Sequence, residues 1–127
     1  MDCACVYVDT SESGPTLFEE KIVTARKPHK CGECRRSIEM GEEYEHTKGL
    51  WEGRFETHKT CSECRAIRSA FFCNGWFYGQ VIHDLREHIS DAGGDISESC
   101  IAELPPRARA KVCKMIEAYW GEQEEYA

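Results

Sequence analysis

The chain has 127 residues, 41% of them hydrophobic, and a formal net charge of −7. That length suits one domain with a modest apolar core, for which a metal staple makes physical sense. The acidic balance works against broad electrostatic attraction to nucleic acid, and no apolar stretch approaches the length of a membrane span.

The charge is unevenly placed. Residues 1–25 carry one Lys against five acids, residues 26–68 carry ten Lys and Arg against eight acids, and residues 69–127 carry five against ten. The middle is therefore mildly basic and the flanks are acidic. A local basic patch at Arg26, Lys27, Lys30, Arg35 and Arg36 reads as a solvated face that also favours thiolates nearby.

Residues 3–8 have strand-like composition, and in a strand Cys3 and Cys5 share a side. Asp9 to Pro15 reads as a polar loop. Leu17 to Ala25 is ambiguous between states, with an extended end around Ile22 and Val23. Cys31-Gly-Glu-Cys34 follows, a spacing that lets one tight turn aim two sulfurs at a single point, with Gly32 supplying the freedom for it. From Tyr44 to Trp51 the residues alternate, Glu52-Gly53 suits a turn, and Arg54 to Thr60 runs back as a hairpin.

Cys61-Ser-Glu-Cys64 repeats the paired spacing. Thr60 with Glu63 matches a capping box, which starts a helix just after Thr60 and runs it from Cys61 to Phe72, stopped by Asn74-Gly75. A second helix is expected over Phe77 to Ser90, ended by Gly93-Gly94, because Tyr78, Val81, Ile82, Leu85 and Ile89 recur at helical spacing. A short helical turn fits Ser97 to Glu103. Pro106 suits the start of a last helix running to about Trp120, with Gly121 ending it.

Four cysteines in two pairs, Cys31, Cys34, Cys61 and Cys64, have the spacing of a structural Zn2+ site. His58-x-x-Cys61 also has metal spacing, but residues three apart on a strand face opposite ways, which works against joint ligation. Cys3, Cys5 and Cys73 are a possible second metal site, with a histidine or Cys100 as fourth ligand, or else buried thiols acting as small apolar residues. Cys100 and Cys113 read as packing residues. His83 and His88 are five apart, so a shared helical metal face is not expected. Trp51, near the hairpin tip, fits either a contact site or the core. The N-terminus lacks a basic-then-apolar run, and nine cysteines without one suggest reduced thiols and metal binding in a cytoplasm.

The order knuckle, hairpin, helix over about residues 28 to 72 resembles the treble-clef zinc fold. The whole chain is similar to small zinc-binding proteins encoded by phages and prophages. That resemblance rests on Cys3-Ala-Cys5-Val-Tyr-Val-Asp9, Ala25-Arg-Lys-Pro-His-Lys-Cys31, Gly41-Glu-Glu-Tyr44, Trp51-Glu-Gly53, Thr57-His-Lys-Thr-Cys61 and Gly75-Trp76. It implies a bacterial host cytoplasm and a zinc protein, and no particular reaction.

The fold expected is α+β: a treble-clef-like knuckle, hairpin and helix, an N-terminal strand and C-terminal helices. It forms a single zinc-stabilised domain over residues 1–127, with the zinc-binding core at 26–72 and the helical part at 76–121. Four thiolates would close a zinc ion, leaving no open position for water, so catalysis is not expected. The function expected is a protein-interaction module, an accessory factor that binds a host protein or defence complex. The alternative is nucleic-acid binding through Arg35, Arg36, Arg65 and Arg68, against which the acidic flanks weigh.

Overall fold

The computed structural model describes Val6 and residues 17–51, 53–72 and 75–125. The expected N-terminal strand, Cys3, Cys5 and Cys73 lie outside the described residues. Val6 itself is buried, and its N–H donates to the Phe71 carbonyl at 2.8 Å.

Five strands and four helices follow in order: β1 (Leu17–Thr24), β2 (His29–Lys30), β3 (Ser37–Ile38), β4 (Glu43–Trp51), β5 (Arg54–Cys61), α1 (Ser62–Phe71), α2 (Val81–Asp91), α3 (Glu98–Ala102) and α4 (Pro106–Glu125). The alternation read over residues 44–51 becomes β4, and the return limb becomes β5. Trp51 faces Arg54 and Tyr44 faces Cys61, so the hairpin closes between Trp51 and Arg54. Gly53 has φ of 80°, a left-handed conformation that glycine adopts without a side-chain penalty.

The ambiguous stretch after residue 16 is a full strand. β1 pairs antiparallel with the outer side of β4, from Leu17 opposite Leu50 to Thr24 opposite Glu43. The sheet order is thus β1-β4-β5, with β4 in the middle. Successive side chains alternate between its faces. One face carries Glu45, Thr47 and Thr60, all buried, and receives α1. The other carries Lys21, His46 and Lys59, aligned across three strands. β2 and β3 form a separate two-stranded ribbon that brackets the first cysteine pair.

Two helix starts differ from expectation. Cys61, extended with ψ of 163°, is the residue before α1, and no side chain caps the helix. Thr60 stays in β5 with its hydroxyl buried and without a partner among the described residues. Glu63 turns instead to Arg36 and Ser62, so the capping box does not form. The second helix begins at Val81, four residues after Phe77, because the carboxylate of Glu33 holds its first turn from outside. Its end is as read: Gly93 and Gly94 have φ of 65° and 76°, and the Gly94 N–H reaches back to the Ile89 carbonyl at 2.8 Å. α4 continues through Gly121 to Glu125. An exposed glycine inside a helix costs only about 1 kcal/mol relative to alanine, and twenty residues of helix absorb it.

The buried residues form two clusters. Ile67 and Phe71 of α1 pack with Val81, Leu85 and Ile89 of α2 and Ala108 and Val112 of α4. Cys31, Cys61 and Cys64 pack with Ala25, Ile38 and Tyr44 at the end of the sheet. α1 belongs to both, with Cys64 on its first turn and Ile67 one turn further on. Among the described residues no helix is long and apolar enough to cross a membrane.

Candidate metal centre

The first cysteine pair sits on a turn between β2 and β3. The Cys31 N–H donates to the Arg36 carbonyl at 2.9 Å and the Arg35 N–H to the Cys31 carbonyl at 3.0 Å, closing the knuckle. Gly32 does not supply the turn's unusual backbone. Arg35 does, with φ of 68°, a conformation rare for a residue with a side chain. The Gly32 N–H donates to the Lys59 carbonyl at 2.8 Å, which ties the knuckle to β5 two residues before Cys61.

β5 and α1 bring the second pair to the same point. The ligand atoms of Cys31, Cys34, Cys61 and Cys64 all lie within 4.8 Å of one another. The Cys34 and Cys61 sulfurs are 3.8 Å apart. A regular tetrahedron with Zn–S bonds of about 2.3 Å has edges of about 3.8 Å, so the spacing fits a zinc ion. Backbone N–H groups of Glu33 and Cys61 each approach the Cys31 sulfur at 3.4 Å, donors that stabilise a thiolate. The cluster could hold a metal ion, and a four-sulfur donor set selects zinc. A bound zinc would draw its four bonds from these thiolates.

The four thiols hold one another's protons apart. For Cys31 the contact with Cys34 raises the pKa, and those with Cys61 and Cys64 more than offset it, pushing the thiol down to about 6. Cys34 is also pushed down, chiefly by Cys31. Cys61 and Cys64 are pushed up, each first by Cys31 and next by Cys34. Four negative sulfurs this close repel, so ionising one thiol opposes ionising its neighbours.

His58 is not among the cluster's residues. Its ring stacks on Tyr78 at 4.5 Å between centroids, on the sheet face opposite Cys61, with Trp51 edge-on at 5.3 Å. Trp51 is half-buried in that aromatic group, with Phe18 at 6.3 Å.

Around the cysteines, ionic contacts join the elements. Arg36 donates to Glu42 through both terminal nitrogens at 3.1 Å and to Glu63 at 2.6 Å. Arg107, from α4, approaches Glu42 at 3.5 Å and Glu63 at 3.7 Å. Arg36 holds the Glu42 carboxyl down at about 2, below its usual range, with help from the Glu39 N–H. A second pair is buried under α1: Arg68 donates to Glu45 at 2.7 Å, and Arg65 adds a contact at 3.3 Å. Burial would push the Glu45 carboxyl up, and the Arg68 guanidinium more than offsets it. Arg68 also lies over the Trp76 ring, 4.2 Å from its centroid.

Three of the four arginines expected to touch nucleic acid have acidic partners. Arg36, Arg65 and Arg68 are engaged with Glu42, Glu63 and Glu45, and Arg68 is buried. Arg35 is exposed, and among the described residues it pairs with no acid.

Sequence reasoning missed Glu33. Its buried carboxylate accepts the Gly79 N–H at 3.0 Å and the Val81 N–H at 3.1 Å, crossing from the knuckle to the start of α2. Burial pushes its pKa up, and the two N–H groups pull the other way. The only hint in the sequence was an acid between two metal ligands, a place where negative charge is otherwise unwelcome.

Of the other candidates, His83 pairs with Glu87 at 3.2 Å and lies near Asp84, on an exposed surface. Cys113 is a free, half-buried thiol on α4. Cys100 is buried in the helical core, as expected of a packing residue, but it is disulfide-bonded. That corrects the reading of a fully reduced thiol set. No family model, curated protein or solved structure matches this chain.

Proposed function

We propose that this chain is a structural-zinc interaction module that works by holding a protein partner and not by turning over a substrate. The observation that carries the reading is the closed four-sulfur cluster. Cys31, Cys61 and Cys64 are fully buried, and four thiolates fill every position of a tetrahedral zinc. Zinc in such a site stabilises and does not activate water. The order of knuckle, hairpin and first-turn cysteine resembles that of a treble clef. The motif resemblance to phage-encoded zinc proteins supports a host protein or defence complex as partner.

A docking edge is also available. Phe18 and Ile22 project from one face of β1, an edge strand, and are 46% and 44% exposed. Paired exposed apolar side chains on an edge strand suit a protein contact.

Two measurements test this. Elemental analysis of protein purified without added metal should return one zinc per chain, lost in Cys31→Ser. Affinity capture should return one stoichiometric partner that is lost with Phe18→Glu and Ile22→Glu at unchanged zinc content. A metal-free wild type sinks the structural-zinc reading; capture that is absent, or unaffected by both substitutions, sinks the docking edge.

A further inference from the structure

The sheet face opposite α1 is electropositive in an acidic protein. The strand register puts Lys21, His46 and Lys59 directly beside one another on β1, β4 and β5. Adjacent strands are about 4.8 Å apart, so the two lysines stand about 10 Å apart with the imidazole between them. Toward the knuckle the face opens into a groove of about 890 Å³ lined by Lys21, Arg26, Lys27, His29 and His46 beside Tyr44. No carboxylate lines this groove among the described residues, although the whole chain carries 23 acids against 16 bases. None of Lys21, Arg26, Lys27, His46 or Lys59 is in an ion pair among the described residues. The arginines of the knuckle and α1 are neutralised by buried acids, whereas this face keeps its charge for solvent. One acid, Glu19, shares the face and sits opposite Lys48.

The same face carries an exposed aromatic ring. Phe55 is 72% exposed and lies on the Lys59 side of β5, four residues before it. At about 3.3 Å per residue the ring and the ammonium are about 13 Å apart along the strand. A row of cations with an exposed ring to one side is what unpaired bases and their phosphates need, since a base stacks on the ring while the backbone tracks the cations. An acidic peptide would use the cations and leave the ring idle; a duplex would keep its bases out of the ring's reach.

We infer that this face binds single-stranded nucleic acid, with phosphates on Lys21, Lys59, Arg26 and Lys27 and a base on Phe55. The inference concerns the face opposite the β1 docking edge and stands whether or not a protein binds there.

The test is fluorescence anisotropy of a labelled mixed-sequence 12-nucleotide DNA and its RNA counterpart, titrated with the zinc-loaded full chain from 50 to 200 mM salt. The logarithm of the affinity should fall against log salt with a slope of about −0.7 for each phosphate contacted, so about −3 for four contacts. Lys21→Glu with Lys59→Glu should weaken binding at least tenfold and flatten the slope by about 1.4. Phe55→Ala should weaken binding about 5- to 100-fold and leave the slope unchanged. Zinc content and melting temperature are read on each variant, so loss of fold is distinguished from loss of contact. Three results overturn the inference: no binding at 50 mM salt, binding unchanged in the double lysine variant, or a polyglutamate peptide binding as tightly as the oligonucleotide with no effect of Phe55→Ala. The last would assign the face to an acidic protein.

Discussion

Glu33→Ala should destabilise the protein by about 2 kcal/mol without removing any metal ligand. The wild-type carboxylate accepts two backbone N–H groups, those of Gly79 and Val81. Hydrogen bonds to a charged acceptor contribute about 1.5–3 kcal/mol each, but burial opposes the charge here and raises the Glu33 pKa, so their sum is not the net effect. The loss is better reckoned from what is left behind. Gly79 is exposed, and water can replace the carboxylate there. Val81 is fully buried, and its N–H would be orphaned at a cost of about 1–3 kcal/mol. A lost negative charge at the N-terminus of α2 adds about 0.5 kcal/mol. At about 4 °C per kcal/mol for a chain of this size, the melting temperature should fall by about 8 °C. Glu33→Gln keeps one acceptor oxygen without the charge and should lose about half as much. The assay is reversible urea unfolding of zinc-saturated protein with zinc content verified. An alanine variant within about 0.5 kcal/mol of wild type would refute the view that the knuckle holds the helical part through this side chain.

Three other outcomes follow from the described contacts. Zinc binding to the metal-free protein at pH 7.5 should release fewer than four protons, because Cys31 and Cys34 are pushed down; calorimetry in buffers of different ionisation enthalpy counts them, and a value near four would mean that the cluster assembles only with the metal. Arg68→Met should cost about 3–5 kcal/mol by stranding the buried Glu45 carboxylate, and adding Glu45→Leu should recover most of it in a double-mutant cycle by urea unfolding. Gly94→Ala should cost more than Gly93→Ala in thermal melts: both have positive φ, but a side-chain carbon at Gly94 would meet Trp120 and Tyr119 at 2.8 Å, and one at Gly93 meets nothing within 4 Å.

The metal cluster and the hairpin were legible because their rules are local. Ligand spacing fixes the first, and period-two alternation with a glycine turn fixes the second. β1 was not legible because residues 18–22 are exposed on both faces, with Phe18 and Ile22 flanking Glu20 on one and Glu19 and Lys21 on the other, which breaks the polar-apolar alternation. Its strand character comes from β4, whose paired residue lies 33 positions from Leu17 and 19 from Thr24. The start of α2 was misplaced for a similar reason, since the group that holds it is 46 and 48 residues upstream. Thr60 and Glu63 satisfied a capping pattern, but Arg36 claimed the glutamate and the sheet kept the threonine. The arginines proposed for phosphate illustrate the same limit. A sequence displays charge, and only the fold shows which charges Glu42, Glu45 and Glu63 consume. The N-terminal strand and the candidate ligands Cys3, Cys5 and Cys73 fall outside the described residues.

α1 is ten residues long, and its two ends report to different cores. Cys64 faces the sulfur cluster, and Phe71 faces α2 and α4. Free energy is shared wherever one rigid body belongs to two cooperative units, and thermodynamic linkage makes the sharing symmetric. A substitution at Leu85, which touches no sulfur, would therefore be felt as weaker metal retention, by whatever fraction of its folding cost passes through α1. With zinc bound, the helical half would thus share in how tightly the cluster keeps it.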